Sequence, residues 1–166
     1  MSKLHYIVGD ATLPAGKRPM IAHVVNNLGY WGKGFSGELS RRYPETTRYY
    51  QDRLRRESRV TQPDYLLGTV FFQPIFRPFG GHIMVAHMVA QRGLFHWKEN
   101  PVPLIYGALY DCLLQVANTA FEEEYTVHMP KIGAGLARGF WQEISTILEQ
   151  TVSHLVPTIV YLQNLE

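Results

Sequence analysis

Apolar positions recur along this chain in two rhythms, and the change from one to the other marks out its elements. Leu4 to Val8 alternates as a strand and stops at Gly9 and Asp10. A loop runs from Pro14 to Pro19, and Met20 to Val25 is then an almost unbroken apolar run, suited to a strand buried on both faces. A glycine-rich loop from Asn26 to Gly34 leads into a helix expected over Phe35 to Tyr43, broken by Pro44. A more polar helix is expected over Glu45 to Arg56. Strands follow over Leu67 to Gln73 and Ile83 to Val89, separated by a turn at Arg77-Pro78-Phe79-Gly80-Gly81. Helical spacing links Ile105, Leu109, Leu113, Val116 and Ala120. A β-branched and aromatic run from Tyr125 to Met129 reads as a strand that stops at Pro130. The last helix begins near Trp141 and carries Ile144, Ile147, Leu148, Val152 and Leu155, before a final strand over Thr158 to Leu162.

The predicted order ββ-αα-ββ-α-β-α-β describes an α/β fold, a mixed sheet with helices on both faces. Ligands of such sheets bind beyond the carboxyl ends of central strands. Two glycine-rich loops leave strands expected to be central, so they are placed to meet around one elongated ligand. The 166 residues suit one domain spanning 1–166, with 46% apolar and 18% charged residues. Met1 runs straight into a strand pattern, with no secretory leader and no long apolar span, so a cytoplasmic protein is expected. Cys112 is the only cysteine, which excludes disulfides and cysteine-based zinc frameworks within one chain. A net charge of +2 is too small to argue for nucleic acid, and the basic run from Arg53 to Arg59 reads first as a solvated helix face.

Chemistry concentrates in the loops. Gly133, Gly135 and Gly139 follow a strand and precede a helix, which together make a natural anion site. Their spacing matches neither the Rossmann nor the Walker pattern, and a plain tight β–α turn is the competing reading. In the first loop, Asn26 leaves a buried strand carrying a two-way hydrogen-bonding group, and Gly32 and Gly34 allow backbone N–H groups near a diphosphate. Asp10 suits an exocyclic amine such as adenine N6, or equally a turn cap. Tyr161, near a strand end, suits stacking on a nucleobase or core packing. Seven histidines have no metal-binding spacing, and Ser36 lies outside any nucleophile elbow. The segment from Gln91 to Asn100, with His96 and Lys98, is placed to cover a ligand or to form an ordinary surface excursion.

Three of these segments resemble the macrodomain family, and the likeness covers nearly the whole chain. Val8-Gly9-Asp10-Ala11-Thr12 is similar to the family's first motif. Ala22-His23-Val24-Val25-Asn26, followed by Gly32-Lys33-Gly34-Phe35, is similar to its second-strand asparagine and glycine-rich loop. Met129-Pro130-Lys131-Ile132-Gly133-Ala134-Gly135-Leu136, followed by Trp141, is the most specific match. The likeness is greatest to compact single-domain bacterial macrodomains, in the branch of Appr-1''-p processing proteins and terminal ADP-ribose glycohydrolases. It implies a three-layer α/β/α fold with a roughly six-stranded mixed sheet. It also implies that Asp10 and Ala11 meet the adenine, with Tyr161 nearby, and that Asn26 faces the distal ribose as the one candidate catalytic residue. Trp31, Gly32, Lys33, Gly34 and Phe35 would flank the ribose and diphosphate, and Ile132, Gly133, Ala134, Gly135, Leu136 and Ala137 would cradle the phosphates. Gln91, Arg92, His96, Lys98 and Lys33 are further candidates near the distal ribose.

The implied function is binding and hydrolysis of ADP-ribose derivatives, either de-ADP-ribosylation or processing of ADP-ribose 1''-phosphate or O-acetyl-ADP-ribose. A non-catalytic ADP-ribose reader is the alternative, and RNA or other nucleotide binding a weaker one. The sequence departs from the family at Asn26-Asn27-Leu28-Gly29, where N-A-A-N is commonest, and at Ala137, where related glycohydrolases carry an aspartate. Their lysine falls near Ala90 or Gln91, so that lysine–aspartate mechanism does not transfer. A water polarised by ligand phosphate is the expected substitute. The expected partner is ADP-ribose or an ADP-ribosylated macromolecule, bound by a monomer without cofactor, metal, membrane or nucleic acid.

Overall fold

In the computed structural model, which describes residues 3–94 and 99–163, all six strands join one sheet. They are β1 (Leu4–Val8), β2 (Pro19–Asn26), β3 (Val70–Phe76), β4 (His82–Gln91), β5 (Thr126–Met129) and β6 (Thr158–Leu162), in the spatial order β1-β6-β5-β2-β4-β3. Neighbours are parallel except β3, which runs antiparallel to β4 at one edge. Strand β2 is central because its run of apolar residues has two faces to bury, and seven of its eight residues are buried. Met20 and Ala22 enter one hydrophobic cluster, while Ile21 and Val25 enter two others on the opposite face.

The first cluster lies under α3 (Tyr106–Glu122), α4 (Trp141–Gln150) and α5 (Val152–Leu155), which bury Leu109, Leu113, Val116, Ile144, Leu148 and Val152. On the other face, α1 (Gly34–Arg42) contributes Leu39, and α2 (Glu45–Glu57) contributes Tyr50 and Leu54. Helices on both sides of a mixed sheet give the three-layer α/β/α arrangement. No helix among the described residues is long and apolar enough to cross a membrane.

Two elements differ from the sequence expectation. The third strand starts at Val70, not Leu67, and extends to Phe76. A short 3-10 turn (Pro63–Leu66) precedes it, and Gly68 at φ +95° turns its N–H onto Val89 O, so pairing begins only at Val70 opposite Met88. Pro74, which has no N–H to donate, is tolerated within β3 because this strand lies at the sheet edge. The last helix is two helices, interrupted at Thr151, whose backbone (φ −118°, ψ −90°) leaves the helical region.

Candidate functional site

A cleft opens at the carboxyl ends of the two central strands because one of them stops short. Strand β5 ends at Met129, where Pro130 removes the next backbone donor. Its register with β2 closes at Ile21 opposite His128, whereas β2 continues along β4 as far as Asn26 opposite Gln91. The flank of β2 from His23 to Asn26 therefore borders open space. That space is about 370 Å³, and the loop after β2 and the loop after β5 form its walls. Of the sequence-predicted residues, Asn26, Trp31, Gly32, Lys33, Gly34, Phe35, Gln91, Ile132, Gly133, Gly135, Leu136 and Ala137 line it. Ala134 does not; it packs against the core beneath.

A second groove of about 190 Å³ carries Asp10, Ala11 and Tyr161, with Gly9, Glu38 and Gln163. Phe35 and Pro130 line both spaces, so the two run on from one another. Leu136 leans across the join, its Cδ1 at 3.4 Å from where a Cβ on Gly34 would lie. The residues that line the two spaces thus form one elongated depression, with Asp10 toward one end and Asn26 toward the other.

Backbone donors dominate the larger cleft. Among the described residues, the N–H groups of Gly32, Lys33, Gly34 and Phe35 donate to no protein acceptor, and neither do those of Gly133, Gly135, Leu136 and Ala137. Helix α1 begins at Gly34 with no side-chain cap and no acidic residue in its first turn. Its unpaired donors and dipole therefore favour an anion. The sequence pointed instead to the helix near Trp141, but the lining of the cleft stops at Ala137 and does not reach α4. Lys33 and Lys131 add positive charge, and among the described residues none that lines the larger cleft is acidic.

Asn26 serves first as the organiser of its own loop. Its Oδ1 accepts from the N–H groups of Leu28 (2.9 Å), Gly29 (2.9 Å) and Tyr30 (3.2 Å), and its Nδ2 donates to Tyr30 O at 2.8 Å. One Nδ2 proton is left over by that set of bonds. Tyr50, wholly buried on α2, donates its hydroxyl to Asn26 O at 2.5 Å. Asn27, at the departure from the family pattern, is buried; it donates to Pro63 O and accepts from Gly93 N–H, tying the loop to β4. Gln91 is also buried and donates to Gly93 O. Tyr50 escaped sequence reading because it lies on a mostly polar helix, where only its period with Leu54 hints at burial.

Asp10 makes the turn cap its position suggested, and it also lines the second groove. Its Oδ1 accepts from Thr12 N–H at 2.9 Å and Thr12 Oγ1 at 2.7 Å, closing a turn, while Oδ2 lies 3.5 Å from Arg42 and is half exposed. Burial alone would raise its pKa, but the Thr12 bonds and Arg42 outweigh it and hold the carboxyl below its ordinary value. Tyr161 is buried with its hydroxyl 2.7 Å from His128 Nδ1, so core anchoring and groove lining coincide in one side chain. Arg92 is not a lining residue; it pairs with Asp64 at 3.3 Å. His96 and Lys98 lie outside the described residues.

Three buried histidines sit in the sheet below. His23 Nε2 is 2.8 Å from His87 Nδ1, and His87 Nε2 is 2.9 Å from Gln73 Oε1. Burial lowers the His23 pKa to about 3 and that of His128 to about 4, and drives that of His87 well down. In the unfolded chain these groups bind protons near 6.5, so between that value and about 4 the unfolded state holds more protons and stability rises with pH. The urea midpoint is expected to be flat above about pH 7 and to fall steadily from there to about pH 5, before most carboxylates titrate. A midpoint unchanged across that interval would show that these rings are not kept neutral by the fold. No group of three His, Cys, Asp or Glu among the described residues is placed to hold a metal ion.

No family model matches the sequence. A macrodomain protein of known structure from Streptomyces coelicolor is 35% identical to the chain, covering 97% of it and 99% of its own length, with a TM-score of 0.80. The chain belongs to the macrodomain family. Two more distant relatives of this macrodomain are named ADP-ribose 1''-phosphate phosphatase. The protein from Candida albicans is 24% identical, covering 89% of the chain and 92% of its own length. That from Meyerozyma guilliermondii is 26% identical, covering 90% and 94%.

Proposed function

We propose that this macrodomain binds ADP-ribose and its derivatives along the joined grooves, and that it hydrolyses a substituent from the distal end, as in ADP-ribose 1''-phosphate. The observation that carries this reading is that two loops lining one cleft both carry runs of backbone N–H groups without a protein acceptor. Fixed backbone donors on opposite walls suit a diphosphate, whose oxygens would each find an N–H without desolvating a buried carboxylate. Asp10 Oδ2 would take the adenine amine, with Ala11 and Tyr161 alongside the base. The remaining Nδ2 proton of Asn26 would reach the distal ribose, with Gln91 nearby. The two phosphatase relatives, similar over about nine-tenths of the chain, support a phosphorylated derivative as substrate.

In that hydrolysis a water oxygen bonds to phosphorus, and the bond from phosphorus to the C1'' oxygen breaks. The products are ADP-ribose and inorganic phosphate. Asn26 would orient the ribose, and the loop amides and Lys33 would offset charge on the phosphoryl oxygens. A second reading, a reader without chemistry, draws on Ala137: the position offers a buried methyl group where related glycohydrolases have a carboxylate. Calorimetry with ADP-ribose and phosphate release from ADP-ribose 1''-phosphate separate the two. Binding with turnover well above the Asn26→Ala background is the expected result. Binding without turnover leaves the reader, and no binding removes both.

A further inference from the structure

Helix α1 ends on two residues that reach out of it. Arg42 Nε donates to Thr12 Oγ1 at 3.0 Å, and the next residue, Tyr43, donates its hydroxyl to Thr12 O at 2.6 Å. Thr12 is buried, and it is gripped by side chain and main chain at once. A basic residue in the last turn of a helix usually complements the dipole there. Arg42 instead crosses to a turn thirty residues earlier, which points to a task outside its own helix.

The order of donation says what that task is. A guanidinium only donates, so Thr12 Oγ1 accepts from Arg42 and gives its own proton to Asp10 Oδ1 at 2.7 Å. Thr12 N–H donates to the same oxygen at 2.9 Å. Two donors on Oδ1 hold the carboxylate against rotation, and Oδ2 is the oxygen left for the groove that Asp10 lines. Arg42 Nη2 lies 3.5 Å from Oδ2, which keeps a further lone pair for a donor from a ligand. Glu38, one turn earlier on α1 and in the same groove, meets Gln163 Nε2 at 3.5 Å and not Arg42.

We infer that Arg42 is a positioning residue for the base end of the ligand: through Thr12 it locks the Asp10 carboxylate with Oδ2 presented to the adenine amine. The inference rests on the ADP-ribose reading and adds to it a residue that lines neither groove. One nine-residue helix then serves both ends of the ligand, with unpaired donors at its first turn and this clamp at its last. Arg42 also supplies charge. Burial pushes the Asp10 carboxyl up, and the Thr12 bonds with Arg42 bring it below its ordinary value, so loss of Arg42 moves its titration to higher pH. The other titratable groups around the carboxylate among the described residues are Tyr43, Glu38 and Tyr161, and none of them carries positive charge. Both members of the Arg42–Asp10 pair are half-exposed and screened by solvent, so orientation through Thr12 is the larger part of the effect.

The test is calorimetry with ADP-ribose on the full chain, on Arg42→Gln and Arg42→Lys, and on Arg42→Gln combined with Asp10→Asn. At neutral pH, Arg42→Gln is expected to weaken ADP-ribose about fivefold while the melting temperature stays within about 3 °C. As the pH is lowered, its affinity should begin to fall at a higher pH than that of the unsubstituted chain. Arg42→Lys returns the charge without the planar fork, so it should restore the acid limb and recover the affinity only in part. In the Asp10→Asn background, Arg42→Gln should bring no further loss, because the residue acts through the carboxylate. An equal loss in that background, or an Arg42→Gln chain whose affinity and acid limb match the unsubstituted one, overturns the clamp and leaves the ADP-ribose reading standing. An unsubstituted chain that takes up no ADP-ribose removes both.

Discussion

Gly135→Val is expected to leave the melting temperature within about 2 °C of the unsubstituted protein while weakening ADP-ribose at least about a hundredfold, or some 2.7 kcal/mol. A Cβ at Gly135 meets nothing within 4 Å, and its φ is not positive, so the fold has room for the new side chain. Among the glycines of this loop the left-handed conformation belongs to Gly133, at φ +71°, and not to Gly135. What Gly135 supplies is close approach, since its N–H is one of the unpaired donors and a branched side chain beside it keeps a phosphate at a distance. Gly139 makes the contrast. Its N–H donates to Gly133 O at 2.7 Å, and an added Cβ would fall 2.6 Å from that same oxygen and into Leu104. Gly139→Ala should therefore lower stability by about 1–3 kcal/mol and take binding with it. Retained affinity in Gly135→Val, measured by calorimetry, would mean that the phosphates do not sit against this loop.

Asn26→Ala carries the second large effect, and it acts on the fold as well as on the ligand. The substitution strips the acceptor from three consecutive N–H groups and the donor from Tyr30 O. It also leaves the Tyr50 hydroxyl with one partner fewer in a fully buried place. A loss of about 2–4 kcal/mol in urea unfolding is expected, together with loss of measurable ADP-ribose binding. Asn26→Asp separates the two roles. It keeps an oxygen for the three N–H groups but turns the Nδ2 donor into an acceptor facing Tyr30 O. Stability should fall less than in Asn26→Ala, while affinity for ADP-ribose should fall as far. Equal affinity in Asn26→Asp and the unsubstituted chain would leave Asn26 a purely structural residue.

Much of the architecture was legible because burial on two faces writes itself into composition. Met20 to Val25 suited a strand buried on both faces, and the Pro130 stop after Met129 placed the glycine-rich loop at the sheet's carboxyl end. The helices followed from period and from Pro44. What escaped depends on where the chain returns in space. That Asn26 folds back on Leu28, Gly29 and Tyr30 is a property of the loop's path, not of its residue types. That His23 faces His87 is a matter of register between strands separated by more than fifty residues. Which helix start faces the cleft was misread for the same reason. Glycines mark both β–α loops, but only the geometry says that α1 aims its first turn inward and α4 does not. The third strand slid because Leu67 looks like a strand residue until Gly68 turns the backbone.

The unequal lengths of the two middle strands act as a ruler. Past the Ile21–His128 pair, β5 runs one more residue and β2 five, an overhang of four, or about 13 Å at the usual rise. That gives the slot its reach, and Pro130 cuts it to size by ending the zipper. Moving the proline one or two places toward the C-terminus would let β5 lace further up β2, shorten the trough by a matching step, and trim the longest molecule it can hold.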